Sequence, residues 1–449
     1  MKNLLLARNR SLLLWLTIAL VLMFYRPAPC PAQMQKTFTP RLSVQEQYDD
    51  NVDLDSRDER SDWITTVSPG FLLELDLEKT RMGLDYQAGF AFYANDSSRN
   101  TINHHARLDL NQALAQHLTL NVRDAFSRTE DPITEQDQRI SSSRNRRVRY
   151  RNDGEANLAY QFGPDDVVTT GYRNRYFDSR SRDEEDSTGN EGFVNVDTWF
   201  GPRFGMGLNA QYGRAQFKQP NNYTGDVTED FKQYQAGTTL RYRWRPGRLT
   251  YCGYSLIYQD YERSSRKSNY DDFYLHQGTV GVNLLLAPHT TLDAEGGYYY
   301  QDYDRGQSRN GGLFNVALST RREKAAFRVS GSGGYTQDYF TAENQGFTRY
   351  YQVSGSASYK LSEDLGVFAA GRYRWEDIYG QNDRKTRDDK VWQASGGFNY
   401  SFWRYLTLSL EGMHTERDST DKRNTNRDYN DYTDNRVTLR LTAAYPIPF

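Results

Sequence analysis

The chain has 449 residues, with 56 Lys and Arg against 58 Asp and Glu, a formal net charge of −2. Its mean hydropathy is −0.86, yet it holds 34 Tyr, 22 Phe and 7 Trp. Disordered chains are poor in aromatics, helical membrane proteins show long apolar runs that are missing after Phe24, and nucleic-acid binders carry a basic excess. All three classes are excluded.

Lys2, Arg8 and Arg10 precede an apolar run from Leu12 to Phe24, followed by Arg26 and the stretch Pro27-Ala28-Pro29-Cys30-Pro31-Ala32. This is the three-part pattern of a secretory signal peptide, with cleavage expected after Ala32. The run is shorter than the ~20 apolar residues of a spanning helix. Ala28 and Pro29 make a poor lipid-attachment box for Cys30. Cleavage removes four positive charges, taking the net charge from −2 to −6, and leaves Cys252 as the lone cysteine, so no internal disulfide is expected. Length would allow two or three domains. Without a linker or compositional break, residues 33–449 read as a single domain.

A first strand is expected near Thr39–Tyr48 and a last one near Arg436–Tyr445. Between them the alternation is explicit. Tyr351, Val353, Gly355, Ala357, Tyr359 and Leu361 interleave with polar residues. So do the segments from Leu365 to Trp375 and from Trp392 to Phe402. Period 2 sustained for ten or more residues marks strands longer than globular ones, at the length a membrane-spanning strand needs.

Nine tight turns punctuate the strands: Glu78-Lys79-Thr80, Ala115-Gln116-His117, Gly163-Pro164-Asp165-Asp166, Gly201-Pro202-Arg203, Arg245-Pro246-Gly247, Ala287-Pro288-His289, Arg321-Arg322-Glu323-Lys324, Ser362-Glu363-Asp364 and Trp403-Arg404. Longer polar stretches alternate with them at Thr129–Arg147, Ser179–Asn190, Lys218–Asp230, Gly380–Lys390 and Thr415–Asp431. The expected fold is an all-β, transmembrane, antiparallel outer-membrane β-barrel of about 20 strands, 18 being the alternative, with short periplasmic turns and long extracellular loops.

Proline placement agrees, because a missing N–H excludes proline from paired interiors. Pro164, Pro202, Pro246 and Pro288 fall in turns, and Pro132 and Pro220 in loops. Pro69, early in the second strand, is expected at a bulge or beyond the bilayer. Aromatics near strand ends, such as Tyr298-Tyr299-Tyr300, Tyr373 with Trp375, and Tyr242 with Trp244, resemble interfacial girdles. A β-propeller shares the spacing of about 40 residues. Its blades, though, need four short strands and Gly-His and Trp-Asp marks, which are missing.

Candidate chemistry is sparse. Gly205-x-Gly207-x-x-Ala210 matches a dinucleotide fingerprint only as letters, since it lies inside an alternating strand. His104, His105, His117, His276, His289 and His414 lack metal-ligand spacing. No Gly-x-Ser-x-Gly elbow is found. Asp49, Asn51, Asp53 and Asp55 alternate oxygen ligands, but Leu54 stands where a calcium loop needs glycine, so a solvated acidic loop is expected. Arg144, Arg146, Arg147, Arg149 and Arg151 cluster where outer-leaflet phosphate or an anionic cargo would pass. No enzymatic activity, cofactor or metal is expected.

Function is expected in the lumen. The polar faces put there Arg151, Asp153 and Glu155; Arg241 and Arg243; Asp293 and Glu295; Arg328; Arg372, Arg374 and Glu376; Glu411; and Arg440. Mixed charge of this kind sets selectivity in a water-filled pore, and paired across the wall it supports the barrel instead. At the C-terminus, Tyr445, Ile447 and Phe449 at two-residue steps resemble the signal by which the barrel-assembly machinery selects its clients. Pro446 and Pro448 predict a strand ending near Tyr445 and an unpaired handle beyond it.

The stretches LSVQEQYDDN (Leu42–Asn51) and SDWITTVSPGF (Ser61–Phe71) resemble the putative β-barrel porin 2 family of Gram-negative outer-membrane proteins. Similar barrels accompany exosortase and exopolysaccharide systems. The resemblance implies a pore in export or assembly of surface exopolysaccharide. Its expected partners are outer-membrane lipid and lipopolysaccharide, the assembly machinery and polysaccharide-export components. The alternative is a non-conducting structural or receptor barrel that binds surface polymers through its loops. The resemblance brings no catalytic residues.

Overall fold

Alternating sequence becomes twenty long strands that follow one another round a closed sheet. A computed structural model describes residues 35–130, 148–179, 186–218, 230–262, 272–304, 307–336, 347–379, 385–421 and 431–449. The expected leader, Cys30, Pro132, Pro220, Arg144, Arg146 and Arg147 lie outside these residues. The strands are β1 (Gln35–Asp49), β2 (Asp62–Asp76), β3 (Thr80–Tyr93), β4 (Thr101–Ala115), β5 (Leu118–Thr129), β6 (Arg149–Gln161), β7 (Val167–Ser179), β8 (Asp186–Phe200), β9 (Phe204–Lys218) and β10 (Phe231–Arg245). The ring continues through β11 (Arg248–Tyr261), β12 (Phe273–Ala287), β13 (Thr290–Tyr303), β14 (Arg309–Arg321), β15 (Ala325–Thr336), β16 (Thr348–Lys360), β17 (Leu365–Tyr379), β18 (Lys385–Trp403), β19 (Leu406–Asp421) and β20 (Tyr432–Ala444). A two-residue strand, β21 (Ile447–Pro448), follows.

Each long strand pairs antiparallel with its sequence neighbours. The ring closes where β1 meets β20, from Arg41 opposite Ala444 to Asp49 opposite Arg436. Strands of 12 to 19 residues exceed the roughly 9–11 that cross a bilayer. The nine expected turns fall between strand ends, as tight as residues 116–117, 246–247, 288–289 and 404–405. Both described ends of the chain, Gln35 and Phe449, lie at this tight-turn end.

The two faces differ as period 2 requires. Leu42, Val44, Leu240, Val280, Val353, Val437, Leu439 and Leu441 are exposed on one face, Val280 by 61% and Val353 by 60%. So continuous an exposed apolar band is foreign to a water-facing surface. The opposite face is concave, because its side chains converge across strands that do not pair. Tyr335 on β15 donates to Gln277 on β12 at 2.9 Å, and Arg243 on β10 reaches Asp165 before β7 at 3.4 Å.

Three expectations need correction. Asp186–Asn190, Lys385–Lys390 and Thr415–Asp421 belong to strands, not loops. Their charges continue the ladder by pairing across it; Arg387 of β18 and Arg417 of β19, for example, share Asp389. Pro69 sits in mid-strand without a bulge. The register of β2 against β3 is unchanged from Val67–Phe90 to Gly70–Gln87, and only the local ladder bonds are lost.

The C-terminal handle is paired as well. The Tyr445 N–H donates to the Pro40 carbonyl at 3.2 Å and the Phe449 N–H to Lys36 at 3.0 Å, with β21 in register on Thr37 and Phe38. Alternate residues of a strand direct their N–H groups to the same neighbour. The odd-numbered donors face β1, so Pro446 and Pro448 remove only donors that point away from it.

Candidate functional site

The concave wall divides into an accessible half near the tight turns and a packed half near the other rim. In the accessible half, Arg107, Asp109 and Arg123 have side-chain exposures of 69%, 44% and 75%. Arg107 Nε lies 2.6 Å from Asp109 Oδ2. Arg41 on β1 pairs with Asp85 two strands away.

The expected lumen residues share this face, and most meet partners that the linear chain did not disclose. Arg151 Nε donates to Asp153 Oδ2 at 2.7 Å. Glu155 accepts from Arg173 at 2.9 and 3.0 Å, while the same guanidinium donates to Glu191 at 2.6 Å. Arg241 pairs with Asp197, and Gly207 makes the room: a Cβ there would lie 2.8 Å from Arg241 Nη2. Arg243 stacks 3.9 Å over the Trp199 ring, and that ring covers Gly205. The two glycines of the apparent dinucleotide motif therefore floor an Arg/Asp/Trp cluster.

On β13, Asp293 accepts from Asn283, and Glu295 accepts from the Tyr251 hydroxyl at 2.7 Å. Arg328 donates to Ser319 at 2.9 Å and Arg372 to Gln393 at 3.3 Å. Arg374 pairs with Glu376 and lies 4.2 Å from the Tyr350 ring centroid. Glu411 sits on the same face opposite Thr438. Arg440 donates twice to Gln45 across the closing seam, at 2.8 and 3.0 Å. Arg149 also lies on the concave face with Arg151, away from the apolar band.

The packed half holds two clusters. On β9 to β13, Ala215, Phe231, Tyr261, Phe273, Leu275 and Tyr299 bury one another with Phe347. Phe347 stacks on Tyr335 at 5.7 Å, and the Arg309 guanidinium lies 4.9 to 5.4 Å from the rings of Phe347, Tyr379 and Tyr303. On β18 and β19, Asp389 is fully buried beneath Arg387, Arg417 and the Ser419 hydroxyl, at 3.0, 2.6 and 2.6 Å. Beside it Arg436 bridges Asp434 at 2.8 Å and Asp49 at 3.3 Å. Buried charges persist only when networked in this way. Asp389 and Arg417 fell in stretches read as loops and so escaped the sequence argument, although alternate charges of opposite sign on facing strands were their signal.

The acidic stretch after β1 is not the solvated loop expected of it. Asn51 is fully buried; its side chain donates to the carbonyls of Asp55 and Thr433, both at 2.8 Å, and accepts from the Asp55 N–H. Val52 and Leu54 are buried, with Leu54 at a φ of 51°. Asp53 binds Arg99 through both oxygens at 2.6 and 2.8 Å, which raises the Arg99 pKa. Hydrogen bonds from Ser98 and Arg99 hold Asp96 below the usual carboxylate range. Oxygens of Asp49, Asp50 and Asp434 lie within 4.8 Å of one another. Arg436 reaches Asp49 and Asp434, and Asn435 donates to Asp50, so the cluster clamps the seam.

On the convex face, His104, His276 and His414 bond to Tyr86, Tyr254 and Asn435.

Residues 37–164, from β1 through most of the turn after β6, match the family model described as putative beta-barrel porin 2. No curated protein sequence matches the chain. Among solved structures it is similar to the FrpB iron transporter from Neisseria meningitidis (F5-1 variant, apoprotein form), with a TM-score of 0.55 at 10% identity over 91% of this chain and 81% of that one. It is similar to the copper transporter OprC, at 0.53 and 12% over 94% and 83%, and to the siderophore receptor PirA from Pseudomonas aeruginosa, at 0.51 and 10% over 94% and 81%. At these identities the likeness is one of fold.

Proposed function

We propose that the chain is an outer-membrane pore serving export or assembly of a surface exopolysaccharide. Residues 33–449 form its single barrel domain behind a cleaved leader. The observation that carries this reading is the accessible charged wall of Arg107, Asp109 and Arg123 inside a ring of twenty strands. A ring of this size encloses more space than its side chains fill. Oxygens and guanidinium groups already paired to one another can exchange hydrogen bonds with the hydroxyls of a passing sugar at little net change. Mixed charge admits polar solutes and holds none tightly.

The tight turns belong in the periplasm and the opposite rim outside. The apolar band would contact lipid and lipopolysaccharide. Tyr445, Ile447 and Phe449 would be read by the barrel-assembly machinery, and export components would dock at the turn end. The experiment is planar-bilayer recording of refolded protein. Open-channel current is expected, and its complete absence overturns the pore. Deleting the gene should abolish or alter the surface polymer; an unchanged polymer overturns the export role.

A second reading rests on the two buried clusters at the loop-side rim. A barrel narrowed there is a non-conducting receptor for surface polymers, and PirA, which is similar in fold, is a siderophore receptor. The same recording separates the two readings.

A further inference from the structure

The convex face is not apolar throughout. On β5 to β8 it carries a connected set of polar side chains, Asp124, Asn152, Asn174 and Asn190. Strand parity places all four opposite in direction to the lumen residues Arg123, Arg151, Arg173 and Glu191. Asp124 is flanked along β5 by Val122 and Phe126 and faces Leu108 on β4. It stands six residues from Leu118, at the tight-turn end of β5. For strands of ordinary rise and tilt that is about 15 Å into an apolar band ~25 Å tall. Gly154 makes the room, since a Cβ there would lie 3.0 Å from Asp124 Oδ2. Both Asp124 oxygens accept from the Asn152 amide at 3.1 Å. Asn174 donates to the Asn190 side-chain oxygen at 3.0 Å and to the Gly189 carbonyl at 3.1 Å, and the Tyr172 hydroxyl donates to the same Asn190 oxygen. Among the described residues, nothing donates to the Asn152 side-chain oxygen, and the Asn190 amide nitrogen donates to nothing. The three asparagines share one depth. They lie nine, seven and ten residues from the tight-turn ends of their strands, Gln161, Val167 and Phe200.

Acyl chains offer neither donor nor acceptor, so hydrogen-bonding side chains within the band call for a protein neighbour. A lipid phosphate would be repelled by the Asp124 carboxylate. Copies of one barrel share one orientation in the membrane, so two of them face each other about a two-fold axis along its normal. An axis in front of β7 sets Asn174 against Asn174 of the second copy. It also sets Asn152 against the second copy's Asn190, twice over. The open oxygen of one amide then meets the open donor of the other, and an amide supplies both. Asp124 takes the Asn152 amide hydrogens, which leaves that oxygen as the group on offer. We infer that the convex face of β5 to β8 is a self-complementary interface through which two copies of the chain pair in the outer membrane. The inference rests on the outer-membrane placement of the barrel and not on conduction.

The test is cross-linking by a bis-maleimide in outer-membrane vesicles, on the full-length protein carrying Cys252→Ser. Gly192→Cys places a thiol one step from Asn190 on the convex face of β8, and Gly296→Cys places one on β13. A Cβ at either glycine meets nothing within 4 Å, so neither substitution disturbs folding. Gly192→Cys is expected to give a band of two copies at least tenfold stronger than Gly296→Cys does. In mild detergent the wild type should show the mass of two copies. Asn152→Leu or Asn190→Leu should weaken that association at least tenfold, with heat-modifiable gel mobility confirming that each variant is folded. No dimer band, equal bands at the two sites, a cross-link to a protein of another mass, or wild-type association in both folded leucine variants overturns the inference. A monomer that still fractionates with the outer membrane refutes the interface alone, and a barrel missing from that fraction refutes the placement on which it rests.

Discussion

Asp50 and Asn435 stand 385 positions apart and clamp the first loop onto the last long strand. Asp50 Oδ1 accepts from the Asn435 N–H at 2.7 Å, and Oδ2 from its side-chain amide at 2.6 Å. Asn51 adds its bond to Thr433, and Arg436 joins Asp49. The residues that carry the family resemblance, from Tyr48 to Asn51 and from Asp62 to Trp63, thus surround the seam of the ring. Tyr48 and Trp63 touch ring to ring at 5.2 Å, and Asp62 accepts from the Trp63 and Asn95 N–H groups.

The clamp predicts coupling between distant positions. Asp50→Ala and Asn435→Ala should each lower barrel stability by about 1–3 kcal/mol, the range for hydrogen bonds to a charged group. The double variant should lose less than the sum of the two. Heat-modifiable mobility across a temperature series measures this, and strict additivity would show that the contact contributes nothing.

Burial separates the ion pairs of the two halves. Asp389→Ala strands Arg387 and Arg417 in a buried site and should cost about 3–5 kcal/mol. Arg107→Ala, on the accessible wall, should cost less than about 1 kcal/mol. Urea titration of the barrel signal in circular dichroism compares them; equal losses would mean that both sites are wetted alike.

Two glycines make a controlled pair. A Cβ at Gly397 would lie 2.0 Å from the Leu410 carbonyl oxygen, a backbone atom, whereas one at Gly296 meets nothing within 4 Å. Gly397→Ala should reduce the yield of folded barrel severalfold while Gly296→Ala matches wild type, as scored by protease resistance in the outer membrane.

The aromatic cluster predicts a change in the proposed pore. Phe347→Ala removes the ring that packs on Tyr299, Tyr335 and Tyr379. Single-channel conductance should rise if that cluster narrows the passage. A conductance equal to wild type would put the constriction elsewhere.

Phe449→Ala should lower assembly yield without changing the melting temperature of the molecules that do fold, because Phe449 is exposed and its N–H bond to Lys36 is made by the backbone. A shift in melting with unchanged yield would make the terminal ring structural.

Much of this was legible along the chain because its signals are local. Turns such as Arg245-Pro246-Gly247 announce themselves through residues that cannot join a ladder or that favour positive φ, as Gly247 does at 75°. Which residues share the concave face followed from parity alone. What escaped depends on facts no single strand carries. Charged runs such as Lys385–Lys390 read as loop until their partners on the next strand are known. Asn51 reads as solvated until Thr433, from the far end of the chain, is laid beside it.

The closing residues carry a consequence for solubility. Beyond Ala444, whose N–H reaches the Tyr405 carbonyl, the tail outruns β19 and, among the described residues, presents one side to no strand. An open edge with alternating donors and acceptors invites a strand from another molecule, and aggregation follows. Here the positions that would donate are Pro446 and Pro448. The edge offers carbonyl oxygens without the N–H groups an incoming strand must also meet, so one copy of the chain cannot template its sheet onto the next.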